Sequence, residues 1–305
     1  MCRTGIGARG ARPFVSGFRE PGKGQQQLIP NVLTIAGTDP TGGAGIQADL
    51  KAFSAQGAYG MSAVTAVVAQ NTRGVRRFVA LDPAFVLEQI ASVFEDVRVD
   101  AVKIGMVANA GIAEAIARGL DEYARCPVVL DPVMVATSGD HLLADDAVAA
   151  VRELLVPRST VITPNLPEAA VLADLPARPD DVDAMYEALP ALRRLGADWV
   201  LLKGGHLGGE TSTDILDGER TVELTAPRVD TVNDHGTGCT LSAAIAARLP
   251  RQDAVESVRA AKAYLTAALQ RSEELDVGGG RGPVHHFHEL WDAAARRPER
   301  EEAIR

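Results

Sequence analysis

The chain has 305 residues, is 46% hydrophobic, 23% charged and 4% aromatic, and carries a formal net charge of −9. A chain of this length buries a sizeable core without disulfide or metal staples. The acidic balance excludes a general nucleic-acid binder, because phosphate backbones select a basic surface. It leaves room for a local basic pocket that takes a small phosphate.

The charge is uneven along the chain. Residues 1–30 hold five basic residues (Arg3, Arg9, Arg12, Arg19, Lys23) against Glu20, while the other 275 hold 26 basic and 39 acidic residues. The start is rich in Gly, Arg and Gln and lacks apolar periodicity, so residues 1–29 are expected to be a disordered basic extension. Residues 30–296 are expected to form a single domain, followed by a charged tail over 297–305. Cys2, Cys126 and Cys239 are too few and too scattered for a disulfide framework, and a reducing cytoplasm is the expected compartment. No apolar run reaches the roughly 20 residues a membrane span needs.

From Asn31 onward, short apolar runs alternate with amphipathic stretches. Val32–Ala36, Ala63–Ala69, Ala101–Ile104, Val128–Leu130, Thr160–Thr163 and Trp199–Leu202 are the expected strands. Several are apolar throughout, as strands buried on both faces are. Between them Ile46–Gln56, Pro83–Phe94, Ala110–Ala124, Ala147–Leu155 and Val182–Leu195 are the expected helices. Asp217-Gly218 between two β-rich runs predicts a hairpin, and helices are expected over about 237–248 and 253–274. The alternation predicts an α/β fold with a mostly parallel central sheet and helices on both faces. Ligands of such sheets sit at the carboxyl ends of the strands. Gly37–Gly45, Gln70-Asn71, Gly105-Met106, Asp131–Met134, Pro164–Glu168 and Lys203–His206 all follow expected strands, so one shared site is predicted.

Two segments carry chemistry on their own. In His235-Gly236-Thr237-Gly238-Cys239-Thr240 the glycines let backbone N–H groups converge, and the helix that follows adds its unpaired donors and dipole. Such a turn suits a phosphate or the charge that develops in a transition state. Cys239 lies in that first turn, where a thiolate is favoured, so it is a candidate general base toward a substrate hydroxyl. The alternative is a tight turn with a small buried cysteine. Gly37–Gly45 matches neither the G-x-G-x-x-G fingerprint nor a P-loop, because the glycine spacing is wrong and the lysine is missing. That spacing excludes a dehydrogenase of the usual kind. Asp49 lies one turn into the next helix, where a carboxylate is favoured by the dipole alone.

Read together, LTIAGTDP (residues 33–40), GGAGIQADL (42–50), VAQNTRGV (68–75), KIGM (103–106), LDPVM (130–134), ITPNLPEA (162–169), KGGH (203–206), HGTGCTLS (235–242) and GPVHHFH (282–288) resemble the hydroxymethylpyrimidine/phosphomethylpyrimidine kinases of thiamine biosynthesis. These enzymes belong to the ribokinase-like superfamily. The resemblance runs from about Asn31 to Trp291. It implies a three-layer ribokinase-like sandwich and ATP-dependent phosphorylation of 4-amino-5-hydroxymethyl-2-methylpyrimidine, then of its monophosphate. It also implies Mg²⁺, a monovalent cation as a further candidate, and a homodimer, with no membrane or nucleic-acid partner.

The resemblance implies roles residue by residue. Gly236, Thr237, Gly238 and Cys239 would hold the transferring phosphoryl group, with Cys239 accepting the hydroxyl proton. Gln70 would read the aminopyrimidine edge, since a carboxamide offers a donor and an acceptor. Asp49 is similar to a substrate-contacting carboxylate. Gly37, Ala44, Val68, Met106 and Val133 would wall the pyrimidine pocket, although Val68 and Val133 read equally as core. Lys203 would neutralise nucleotide phosphates; an exposed strand-end lysine is the alternative. Asp131, Asn165 and Glu168 are placed for the nucleotide and its metal, with Asp131 and Glu168 the expected ligands. Asn165 and Glu168 also read as an N-cap and a first-turn acid. Thr231, Val232 and Lys262 would border the nucleotide. His285, His286 and His288 lack zinc spacing and read as packing, while Trp199 and Trp291 read as core or docking residues. His206 and His235 receive no role. The same chemistry on pyridoxal or pyridoxine, and a non-catalytic binding protein, are the rival functions.

Overall fold

The computed structural model describes residues 28–134 and 145–295. The extension expected over 1–29, apart from Leu28 and Ile29, and the tail expected over 297–305 lie outside the described residues. An eight-stranded sheet runs in the order β10-β9-β8-β7-β6-β5-β1-β2. Its strands are β1 (Asn31–Ala36), β2 (Tyr59–Val64), β5 (Ala101–Ile104), β6 (Val128–Leu130), β7 (Val161–Ile162), β8 (Trp199–Lys203), β9 (Thr211–Asp217) and β10 (Thr221–Pro227). The pairs from β2 to β8 are parallel, and β9 and β10 close one edge antiparallel.

Alternation along each strand divides the core between the two faces. Leu33, Ile35, Val102, Ile104, Leu130 and Ile162 pack with α2 (Pro83–Asp96), α3 (Ala110–Tyr123), α5 (Leu166–Leu172) and α6 (Val182–Arg193). Val32, Ala101, Val129, Val161 and Leu201 pack with α1 (Gly45–Ala55), α7 (Thr237–Arg248) and α8 (Ala254–Gln270). Because the central strands are parallel, the segments after β1, β5, β6, β7 and β8 emerge on one edge of the sheet. This is the α/β architecture the sequence predicts.

Three elements depart from expectation. The run Ala63–Ala69 is not one strand: β2 ends at Val64, and β3 (Ala66–Asn71) leaves the sheet to pair antiparallel with β4 (Gly74–Ala80). Thr65 makes the break, donating its N–H to the Ala36 carbonyl (3.0 Å) and its hydroxyl to the Met106 carbonyl (2.6 Å). The helix expected over Ala147–Leu155 is α4 (Asp145–Ala150) followed by a π-helical turn over Val151–Leu155. The last expected helix stops at Gln270, before a short 3₁₀ turn, and α9 (His288–Ala295) follows. Asp253 caps α8 by accepting from the Glu256 N–H (2.9 Å), as an N-terminal Asp does.

Candidate active site

The Gly-Thr-Gly turn is held by backbone contact with the first loop. Gly236 has φ of 78°, a left-handed conformation that favours glycine, and a Cβ there would overlap the Gly43 carbonyl oxygen. A Cβ on Gly238 would lie 3.2 Å from Lys203 Nζ and 3.4 Å from Asp131 Oδ2. The start of α7 therefore faces the ion pair at the ends of β6 and β8.

Asp39 is a site residue that the sequence reading missed. It is fully buried and accepts from Thr41 N (2.9 Å), Thr41 Oγ1 (2.8 Å), Gly43 N (3.0 Å) and Ala44 N (2.8 Å). His235 Nε2 lies 2.8 Å from Asp39 Oδ2. Burial alone would raise this carboxyl, but His235, Gln70 and Thr41 together hold it well below the usual range. Asp39 thus fastens the Gly37–Gly45 loop to the turn that carries Cys239, and His235, given no role from sequence, is the other half of that fastening. An Asp three residues before a Gly-Gly pair, where its oxygens meet successive N–H groups, was the available signal.

Gly37, Met106 and Val68, the expected pocket wall, come together. A Cβ on Gly37 would meet Met106 Sδ at 3.0 Å and Val68 Cγ2 at 3.7 Å. Val68 and Met106 are buried and Val133 is half-buried. Gln70 and Val232 share the lining of a cleft of about 700 Å³ with Asn71, Arg73, His235 and Arg281. Val232 is 73% exposed at its margin.

Asp49 does more than meet the helix dipole. It is fully buried, accepts from Thr34 Oγ1 (2.6 Å), and pairs with Lys103 Nζ (2.9 Å), a residue the sequence reading passed over. Its Oδ1 has no hydrogen-bond partner among the described residues. Burial raises the Asp49 carboxyl, against the pull of Lys103.

Asp131 Oδ1 accepts from Lys203 Nζ (3.0 Å) and Thr163 Oγ1 (3.1 Å), and both charged side chains are largely buried. Lys203 is therefore not an exposed strand-end lysine. Asn165 and Glu168 form a capping box on α5, with Asn165 Oδ1 accepting from Glu168 N (2.9 Å) and Glu168 Oε2 from Asn165 N (2.8 Å). Burial pushes Glu168 up to about 7; Lys203 works against that and Asp131 adds to it. Lys262 does not offer a free charge, because its Nζ is buried against Asp214 Oδ2 (2.6 Å). Thr231 Oγ1 lies 3.1 Å from Ser272 Oγ.

Cys239, read from sequence as a thiolate or as a small buried residue, is half-buried. Burial pushes its thiol up to about 11; Lys103 pulls it down, while Asp49 and Asp131 push with burial. Desolvation of a small thiol outweighs the field of one helix start.

The three histidines pack as expected. His286 Nε2 lies 3.0 Å from Thr240 Oγ1, next to Cys239, and burial pushes it down to about 3, so it is neutral. No group of three or more metal-ligating side chains occurs among the described residues. Trp199 packs against the core, whereas Trp291 is 53% exposed and meets the His285 and Phe287 rings.

Residues 39–285 match the family model described as phosphomethylpyrimidine kinase. The chain is 54% identical to the hydroxymethylpyrimidine/phosphomethylpyrimidine kinase of Escherichia coli (strain K12) over 265 residues, covering 86% of this chain and 98% of that one. The structure resembles an ADP complex of Bacillus subtilis pyridoxal kinase, with a TM-score of 0.79 and 39% identity over 85% of this chain and 98% of that chain. It also resembles the phosphomethylpyrimidine kinase of Clostridium difficile 630, with a TM-score of 0.69 and 42% identity over 79% and 99% of the respective chains. A family model that runs from Asp39 through the Asp131–Lys203 pair to the Cys239 turn and beyond, and relatives of nearly full coverage, place the chain in the phosphomethylpyrimidine kinase family.

Proposed function

We propose that the protein transfers the γ-phosphoryl group of ATP to the hydroxymethyl group of 4-amino-5-hydroxymethyl-2-methylpyrimidine, and then phosphorylates the monophosphate to the diphosphate. The observation that carries this reading is the meeting of the Cys239 turn with the Asp131–Lys203 pair beside the Gly37–Val68–Met106 wall. Phosphoryl transfer needs alignment and charge stabilisation more than covalent help. In the first step the substrate oxygen attacks the γ-phosphorus, the bond to the bridging oxygen breaks, and ADP leaves with that electron pair. The hydroxyl proton passes to Cys239 Sγ in its ionised form. Backbone N–H groups of Gly236–Cys239 hold the phosphoryl oxygens. Gln70 meets the aminopyrimidine edge, and Asp49, buried behind the first loop, completes the polar side of the pocket.

The donor set fits magnesium, which takes one or two carboxylates and keeps several waters. Asp131 and Glu168 would hold it; a Glu168 carboxyl raised by burial near Asp131 is the kind of group a cation keeps ionised. When bound, the ion offsets charge on the nucleotide phosphates. Lys203, Asn165, Thr231 and Val232 border the nucleotide in this reading, and Lys262 contributes through Asp214. One catalytic domain over 30–296 and a homodimer belong to the same proposal. No helix among the described residues is long and apolar enough to cross a membrane.

A second reading, phosphorylation of pyridoxal, has the structural likeness to a pyridoxal kinase in its favour. Mass analysis of products from ATP, Mg²⁺ and the hydroxymethylpyrimidine tests the main proposal. One and then two added phosphates are expected; an unchanged pyrimidine contradicts it.

A further inference from the structure

The hairpin of β3 and β4 leaves the main sheet, and its tip is gripped by a glycine-rich strap between the 3₁₀ turn and α9. Gly280 N donates to Thr72 Oγ1 (3.1 Å), and Arg281 N donates to the Thr72 carbonyl (2.8 Å). The strap goes on to the turn before α7, where His235 N donates to the Gly282 carbonyl (3.0 Å). Two guanidinium groups meet along it. Arg73 lies over the strap, because a Cβ on Gly279 would stand 3.0 Å from its Nη2. Arg281 is held by Asp234, with Nε 2.7 Å from Oδ1. Hairpin tip, strap and turn together line the cleft of about 700 Å³ that Gln70 and His235 share.

In a chain whose net charge is −9, the lining of this cleft includes both arginines and no Asp or Glu. The Asp234 carboxylate occupies Nε and Nη2 of Arg281 and leaves Nη1. Guanidinium forks from two separate segments suit a phosphate, whose oxygens accept several N–H groups at once. A neutral alcohol has no use for these cations, whereas its monophosphate does. In the second transfer an oxygen of that phosphate attacks the γ-phosphorus, the bond to the bridging oxygen breaks, and ADP leaves with that electron pair. Two anionic groups must then be brought together, and positioning with charge stabilisation is what such a step needs. We propose that Arg73 and Arg281 form a phosphate subsite for the pyrimidine monophosphate and so set the specificity of the second transfer. This rests on the two-step reading above. Gln70 ties the subsite to the pyrimidine, since it lies three positions before Arg73 on the same hairpin and lines the same cleft. The nucleotide phosphates have a separate cation in Lys203, held by Asp131 at the ends of β6 and β8.

The test is steady-state kinetics of the full chain in an ADP-coupled assay, with the alcohol, the monophosphate and ATP varied in turn. Wild type, Arg73→Gln and the Arg73→Gln/Arg281→Gln double variant are compared; both side chains are exposed, so the variants are expected to fold. The ratio of KM for the monophosphate to KM for the alcohol is expected to rise about tenfold in Arg73→Gln, the effect of losing one charge-assisted contact, and further in the double variant. Arg73→Lys keeps the charge without the fork and is expected to fall between wild type and Arg73→Gln. Equal rises for both pyrimidines, the mark of a displaced hairpin, overturn the proposal, as does a rise confined to ATP, the mark of a nucleotide contact. Wild-type protein that leaves the monophosphate unphosphorylated overturns the two-step reading and the subsite with it. Wild-type protein active on both pyrimidines, with an unmoved ratio in the variants, overturns the subsite alone.

Discussion

Gly236 and Gly43 meet backbone to backbone: a Cβ on Gly236 would overlap the Gly43 carbonyl oxygen, and Gly236 sits at φ of 78°. The turn before α7 and the loop before α1 are therefore one unit. Gly236→Ala is expected to separate them and misplace the backbone N–H groups proposed to hold the phosphoryl group. A fall in kcat of roughly 10²–10³, the scale of losing an oxyanion donor, is the expected result of steady-state assays. The left-handed backbone adds about 1–2 kcal/mol of destabilisation, read as a lower Tm.

Asp39→Asn removes the charge that His235, Thr41, Gly43 and Ala44 share while keeping the shape. Its carboxyl is held low in the folded state, so the stability it gives is present above the unfolded value of about 3.9 and is lost as pH falls below it. The variant is expected to lose about 1.5–3 kcal/mol at neutral pH and to show a shallower decline below about pH 4. Denaturant melts from about pH 2.5 to 7 check both, and parallel curves for variant and wild type would contradict the assignment.

Much of this site is legible in the sequence. The strands after which Gly37, Gly105, Asp131 and Lys203 appear are apolar and short, so their carboxyl ends locate one edge. Thr65 escapes detection because the break at this residue is made by tertiary hydrogen bonds within an unbroken apolar run. Lys103 escapes because its neighbours make it look like an interruption in a core strand, and its partner Asp49 is 54 positions away. Cys239 is only half legible: its local setting favours a thiolate, while desolvation by neighbours from distant parts of the chain, invisible in sequence, pushes the thiol up.

Cys239→Ser replaces a thiol with a hydroxyl that is a far weaker acid. A drop in kcat of about 10²–10⁴ is expected, the range for losing a general base, with little change in KM for the pyrimidine. Parallel kinetics of the alcohol and the monophosphate check this; an equal rise in KM alone would place Cys239 in binding rather than proton transfer.

Asp131→Asn leaves Lys203 buried without its carboxylate. Breaking such a pair costs about 3–5 kcal/mol, so a lower Tm is expected. The magnesium concentration for half-maximal activity should also rise, since one of two carboxylates is gone. Magnesium titration of the variant that overlays the wild type would contradict the metal role.

The central claim is that this site is built for a hydroxymethylpyrimidine. The most direct measurement is kcat/KM for that alcohol and for pyridoxal, side by side with ATP and Mg²⁺ in an ADP-coupled assay. The account predicts a preference for the pyrimidine of at least about a hundredfold, the scale set by unpaired polar groups facing the wrong substrate; a preference for pyridoxal would contradict it.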